Sequence, residues 1–521
     1  MDEKKSKGSF FSPSAWIAWA WELSIWRAYF YIATLGIIGG IVVYGGTLVF
    51  FPQPIPEKVC SKSDWDRMVF TLGEPVARLI YFFPLNFCWN VNCMTWYTRA
   101  VMKGWGAFTN TFMQVGINPN QWWRDLQSPL VMEYANFSSV QVRTYQLPSY
   151  DVHSDGALVY MHGGTFLFGK AWMFDTIARD LAEKIHPRLI VAIDYRRIPD
   201  TIYPGAVEDC EAAIDYLMEH GAKKYGIDPR KIIVMGESAG GTLAAVMARK
   251  YSQDPSKRYP LHGQVLVHPA LQFSDLQTPS YQLFHEDYAG LALPRPYPYA
   301  AFMLVYAGLD VDTHPEFVDD VLENKHVSNR VAEMRDQVMN FTMLPREFQA
   351  TGLQSKSPRG NKLLMEKLEP VLMDPDFAPL MAKDLRGLPT SLIVTVDTDF
   401  LRDDGILYAR RLQEAGVSTT WSHYDDGFNS AFHFARVLDV SQRILTEVSD
   451  WTKALMESPA VEKTPRPIEE TINPFTISSE EATQVFVDLM NDMVGAFGLE
   501  EEVQSTCARS SFLGQAVPCR S

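Results

Sequence analysis

The chain has 521 residues, a formal net charge of −15, an ordinary globular composition and six cysteines. The acidic balance excludes nucleic acid as a partner, because phosphate binding rests on clustered Lys and Arg. The cysteines are too few for a disulfide scaffold and lack metal-ligand spacing, so no metal and no cofactor is expected. The length fits one α/β domain with insertions and terminal extensions.

Residues 1–27 open with a short charged stretch, after which Ser12-Pro13 starts a Trp-rich run (Trp16, Trp19, Trp21, Trp26) that reads as an interfacial helix. From Ala28 to Phe51 no residue is charged, long enough to cross a bilayer. The alternative, a cleaved signal peptide, fits less well: the apolar part is too long, starts too late and lacks a small-residue cleavage site. Lys4, Lys5, Lys7 and Arg27 precede the span, against Lys58, Lys62 and Arg67 after it, which favours a cytoplasmic N-terminus. The sequons at Asn136 and Asn340 agree with a body in the ER lumen or outside the cell. Gly36 and Gly40 are spaced to admit a second membrane helix, although glycines also occur in lone spans. Pro52 to Pro56 ends the helix, and residues 52–150, rich in aromatics, are expected to form a cap.

Residues 151–456 alternate strand and helix, which predicts an α/β fold with a parallel, doubly covered sheet. Leu158 to Met161 is a strand running into His162-Gly163-Gly164-Thr165, a turn that bares backbone N–H groups. Leu189 to Ile193 is the next strand, followed by a helix containing Asp209 to Tyr216. Ile232 to Met235 then leads into Gly236-Glu237-Ser238-Ala239-Gly240 and a helix, a nucleophile elbow with Ser238 as the candidate nucleophile. Ala239 opens that helix, so its N–H can face an oxyanion. After strand Val265 to Val267 comes an aromatic and proline-rich insertion at about 272–350, then strand Ser391 to Val396. Asp399 follows it as the candidate acid, with Asp397, Asp403 and Asp404 as competitors. Helix Gly405 to Ala415, strand Ser418 to His423 and the loop Asp425 to Asn429 come next, the loop being expected to open a helix that ends near Met456.

Residues 457–521 form a linker and tail around a capping-box start at Ser478 and an apolar stripe from Ala482 to Phe497. That amphipathic helix, 478–497, needs a surface: its own domain, a membrane-protein partner or membrane lipid. In a lumenal body Cys88 with Cys93, and Cys507 with Cys519, are candidate disulfides.

Taken together, HGG at 162–164, YRRIPDTIYPGAVEDC at 195–210, GESAGG at 236–241, DFLRDDG at 399–405 and DDGF at 425–428 resemble the hormone-sensitive-lipase-like α/β-hydrolases, and within them the arylacetamide deacetylase and neutral cholesterol ester hydrolase group. The resemblance covers about residues 28–456 and implies an α/β-hydrolase fold, a single N-terminal signal-anchor and an apolar ester or acyl ligand. It implies Ser238 as nucleophile, Asp399 as triad acid, and the N–H groups of Gly163, Gly164 and Ala239 as oxyanion donors. Two positions depart from the pattern. Thr165 stands where the family has a third glycine, and Asn429 stands where it has the catalytic histidine. Asparagine accepts no proton, and a serine hydroxyl needs an adjacent base. Only His423 and His433 follow Asp399, and His433, one expected helical turn past Asn429, is the better stand-in. Two readings result: an impaired hydrolase kept as a ligand-binding or accessory subunit, or an active ester hydrolase working through His433.

Overall fold

In the computed structural model the described residues are 57–73, 90–108, 119–284, 296–349 and 360–460, all within one compact unit, Met1–Thr464. The expected interfacial helix, the 28–51 span, the 478–497 helix and Cys88, Cys507 and Cys519 lie outside them. Among the described residues no helix is long and apolar enough to cross a membrane.

Eight strands form one sheet in the order β1-β2-β4-β3-β5-β6-β7-β8. They are β1 (Val131–Phe137), β2 (Val140–Gln146), β3 (Ser154–Met161), β4 (Pro187–Ile193), β5 (Ile232–Glu237), β6 (Gly263–Val267), β7 (Thr390–Thr398) and β8 (Thr419–Phe428). β1 and β2 pair antiparallel and β2 joins β4 antiparallel; from β4 to β8 every pairing is parallel. The sheet therefore begins at Val131, inside the stretch expected to be cap. Its hairpin was missed because β1 has only one buried side chain of seven, so the apolar signal of a central strand is absent there.

The helices that cover the sheet are α1 (Asp175–Ile185), α2 (Gly205–Tyr225), α3 (Ala239–Gln253), α4 (Arg402–Glu414) and α5 (Asp439–Glu457). The pleat sorts the strand residues between them. Ala157, Val159 and Met161 of β3 point into the same core as Cys210, Ile214 and Leu217 of α2 and Leu243 of α3. Their neighbours Leu158 and Tyr160 point into a second core with Leu181 of α1 and Ile444 and Val448 of α5. Period-two alternation with both faces apolar is what makes these strands near-continuous hydrophobic runs.

The insertion between β6 and β7 is helical rather than irregular, with helices Pro279–Phe284, Pro296–Tyr306, Glu316–Leu322 and Asn329–Val338. It packs on the glycine turn after β3, where the ring of Tyr306 stacks on Phe166 with centroids 3.9 Å apart. The helix Val91–Phe108 reaches the same region through Arg99, which donates to the carbonyls of Leu167 (3.1 Å) and Ile198 (2.6 Å).

The segment 57–73 binds the far end of the chain. Cys60 N–H donates to the Asp426 carbonyl at 2.9 Å, Trp65 Nε1 to the Val437 carbonyl at 2.7 Å, and Lys58 pairs with Asp397 at 3.3 Å. α5 has no cap of its own, since Leu438 stands at its N-cap. The buried Asp66 carboxylate supplies one, accepting from the N–H groups of Asp439 (2.7 Å) and Val440 (2.9 Å). A carboxylate there satisfies two otherwise orphaned donors and meets the positive end of the helix dipole.

Cys93 is disulfide-bonded, while Cys60 and Cys210 are free. Both sequon asparagines are exposed. Asn340 Oδ1 accepts from the backbone N–H and hydroxyl of Thr342 at 3.0 and 2.8 Å.

Candidate active site

The elbow forms as its residue pattern requires. β5 ends at Glu237, α3 begins at Ala239, and Ser238 between them is held at φ 49°, ψ −120°. Two glycines make the close packing possible: a Cβ on Gly236 would sit 2.0 Å from the Gly240 carbonyl oxygen, and one on Gly240 would sit 2.0 Å from that of Met161. The second contact also brings the glycine turn after β3 against the start of α3. Ser238 N–H donates to Val267 O at 3.1 Å, which ties the elbow to β6. Among the described residues its hydroxyl has no hydrogen-bond partner.

The acid and its neighbour are brought together by register. A bulge between Val396 and Thr398 brings Thr398 opposite Phe428 across β7 and β8. The next residue on each strand is Asp399 and Asn429, and Asn429 N–H closes the corner on Thr398 O at 3.1 Å. Asn429 Nδ2 donates to Asp399 Oδ1 at 2.8 Å, while Ser430 Oγ donates to Asn429 Oδ1 at 2.9 Å. The amide is thus bound at both ends. Leu401 N–H also donates to Asp399 Oδ1 at 3.0 Å, and Oδ2 is buried without a partner. Burial pushes the Asp399 carboxyl up to about 7, against the lowering by Asn429, Leu401 N–H and Arg402. A triad acid beside an imidazolium has its charge compensated; here a neutral amide faces it.

The competing aspartates have other work. Asp403 accepts from Ser280 N–H at 2.7 Å and Asp404 from Gln272 Nε2 at 3.0 Å, which fastens the helical insertion. Asp397 faces Lys58 and Arg402.

Both candidate stand-in histidines are engaged elsewhere. β8 runs on to Phe428, and the segment after it forms a 3-10 turn at Ala431–Phe434; α5 starts only at Asp439. The expected α-helical turn from Asn429 to His433 is therefore corrected. His433 Nε2 lies 2.5 Å from Glu237 Oε2. His423 Nδ1 lies 2.9 Å from Thr395 Oγ1, and its Nε2 3.7 Å from Asp397. Arg436 holds the post-β8 loop down by pairing with Asp125 and Asp180, each at 2.5 Å.

Glu237 is the residue that the sequence reading passed over. It is fully buried beneath the nucleophile, where its Oε1 accepts from Gly163 N–H at 3.0 Å and from Tyr160 hydroxyl at 3.4 Å. Burial alone would raise its carboxyl, but His433, His268 and the Gly163 N–H together outweigh that and hold it down at about 2. His268, 3.8 Å from Oε2, is pushed down to about 4 by burial. The signal was present in the sequence: an acid ending an apolar strand run must find partners. Its pairing corrects one oxyanion assignment, because the Gly163 N–H is spent on Glu237. Gly164 and Ala239 keep N–H groups with no acceptor among the described residues. Gly164 (φ 119°), Thr165 (φ 52°) and Phe166 (φ 56°) are successive positive-φ residues, so Thr165 takes a conformation that a third glycine would adopt freely.

A family model described as alpha/beta hydrolase fold matches residues 158–335 and 343–433. A neutral cholesterol ester hydrolase 1 from Bos taurus is 31% identical over 394 residues, 73% of this chain and 89% of that protein. An arylacetamide deacetylase from Mus musculus is 33% identical over 326 residues, 62% of this chain and 79% of that protein. A hyperthermophilic esterase from Pyrobaculum calidifontis superposes with a TM-score of 0.50 at 22% identity, covering 74% of this chain and 98% of the other, a likeness of fold. With the elbow, the glycine turn and the acid after β7 in these positions, the chain belongs to the α/β-hydrolases, in the group of the arylacetamide deacetylases and neutral cholesterol ester hydrolases.

Proposed function

We propose that this chain is a serine-hydrolase scaffold whose ester chemistry is impaired for want of a general base, anchored in a membrane by residues 28–51 with its body in the lumen or outside the cell, and serving as a ligand-binding or accessory subunit. The supporting observation is the residue that pairs with the acid. Asn429 is held by Asp399 at its Nδ2 and by Ser430 at its Oδ1, and a neutral amide takes up no proton at either end, so it gives the Ser238 hydroxyl no base. Loss of the triad histidine lowers turnover on the order of a million-fold, with residual stabilisation by the oxyanion donors. The ligand is an apolar ester or acyl compound, the class that the relatives' names carry for them. The second reading, an active ester hydrolase through His433, draws on the intact elbow and on that histidine's place beside Glu237.

Membranes holding the full chain, treated with a fluorophosphonate and assayed on short p-nitrophenyl esters, separate the two. The expected result is no labelling of Ser238 above the Ser238→Ala control and no ester turnover above it. Labelling and turnover at ordinary esterase rates, abolished by His433→Ala, would establish the second reading.

A further inference from the structure

At the N-terminal ends of the strands, opposite the end that carries Ser238, register makes a second pairing. Ser154 and Pro187, at the start of the parallel neighbours β3 and β4, are register partners, so the residues just before them, His153 and His186, stand side by side. His153 N–H donates to the His186 carbonyl at 2.9 Å. The two imidazoles stack with centroids 4.2 Å apart and planes 21° from parallel. Asp151 completes the group: its carbonyl lies 3.0 Å and its Oδ1 3.3 Å from His186 Nδ1. One ligand atom from each of Asp151, His153 and His186 falls within 4.8 Å of the others.

His186 also takes a left-handed position, which histidine enters more often than most residues. It is the left-handed C-cap of α1, at φ 55°, ψ 45°, with its N–H on Ala182 O. Glycine or asparagine takes that position with less strain. The Asp151 carbonyl 3.0 Å from Nδ1 fixes the orientation of the ring, as a carbonyl beside a metal-ligating histidine does. Asp151 and His186 are half-buried and His153 is exposed, which leaves one side open to solvent.

We infer that Asp151, His153 and His186 form a site for a divalent transition-metal ion, zinc being the expected occupant, that staples the start of β3 to the turn between α1 and β4. Two imidazoles and one carboxylate are a borderline donor set that selects zinc, nickel or copper over calcium and magnesium. Zinc bonds of about 2.1 Å in tetrahedral geometry space ligand atoms ~3.4 Å apart, so the group has to draw together and one of the two stacked rings has to turn for both lone pairs to meet the ion, with water in the fourth position. The cysteine-spacing argument from the sequence does not reach this site, since no cysteine takes part. The site lies at the N-terminal ends of β3 and β4 and is separate from the hydrolase chemistry.

The test is a titration of the purified full chain in detergent with zinc alone, followed by competition with a chromophoric chelator, and a parallel titration with Co²⁺ followed by its visible absorption. The expected result is one equivalent more metal bound by wild type than by His153→Gln or His186→Asn, a Co²⁺ spectrum lost in both variants, and a thermal midpoint raised a few degrees by zinc in wild type only. Asparagine suits the left-handed position, so His186→Asn keeps the turn. Unfolding midpoints of metal-free variants close to wild type establish that the fold is intact. Equal metal binding by wild type and both folded variants, or no zinc-dependent shift in wild type, would overturn the assignment.

Discussion

Asn429 is the residue on which the chemistry turns, and its replacement is the most direct test at this scale. In Asn429→His an imidazole takes the corner after Phe428 and inherits Asp399 as its acceptor, restoring the acid–base–nucleophile order. Because triad members act as a unit, ester hydrolysis should rise by several orders of magnitude and vanish again in Asn429→His/Ser238→Ala. Ser430 limits the gain: it sits at φ 65°, where the family's glycine is unstrained, and it loses its bond to the Asn429 oxygen. A folded Asn429→His protein no more active than its double variant would show that the pocket has changed beyond one side chain. Asp399 offers a second test at this scale. Its folded-state pKa, raised from 3.8 to about 7 by burial, means that its contribution to stability is fully present below pH 3.8 and lost as pH rises through 7. Asp399→Asn, which does not titrate, should gain on wild type by a few kcal/mol between pH 4 and pH 8, read from urea midpoints at the two ends. The buried histidines His162, His268 and His326, each held down to about 4 by burial, are common to both proteins and cancel. A difference independent of pH would refute the buried-carboxylate account.

The elements show which parts of the molecule were legible beforehand. Strands β3 to β7 and helices α2 to α4 could be read because each strand is apolar on both faces and each joint carries glycine or proline. The elbow was legible for the same reason, its glycines being demanded by contacts that no side chain tolerates. Gly240→Ala should therefore cost about 3 kcal/mol or more, since the new methyl meets a backbone carbonyl that has no rotamer to yield; a thermal midpoint within a degree of wild type would contradict the packing. What could not be read were features set by pairing between distant elements. The bulge that delivers Asn429 to Asp399, the Glu237 partnership with Gly163 and His433, and the 3-10 turn in place of a helix start all depend on neighbours that sequence spacing does not reveal. His433 looked like a stand-in base because helical spacing was assumed through a segment that is not helical.

For the whole molecule, the contact between Asp66 and α5 joins residues 373 positions apart in the chain. Asp66→Ala strips two N–H donors of their acceptor, the Val440 one buried, and should cost about 2 kcal/mol, seen as a midpoint lowered by a few degrees and as faster amide exchange in the first turn of α5. Unchanged exchange at Asp439 and Val440 would mean that water replaces the carboxylate without loss. The same contact has a consequence for proteolytic release. A cut between the expected span and Glu57 frees a body that retains its capping aspartate, its Trp65 anchor and the Lys58–Asp397 pair. A fragment that begins at residue 74 lacks all three and exposes the bare end of α5. Release from the proposed anchor and loss of fold would thus be separated by the seventeen residues 57–73, and a 57–460 fragment should resist trypsin under conditions that digest a 74–460 fragment.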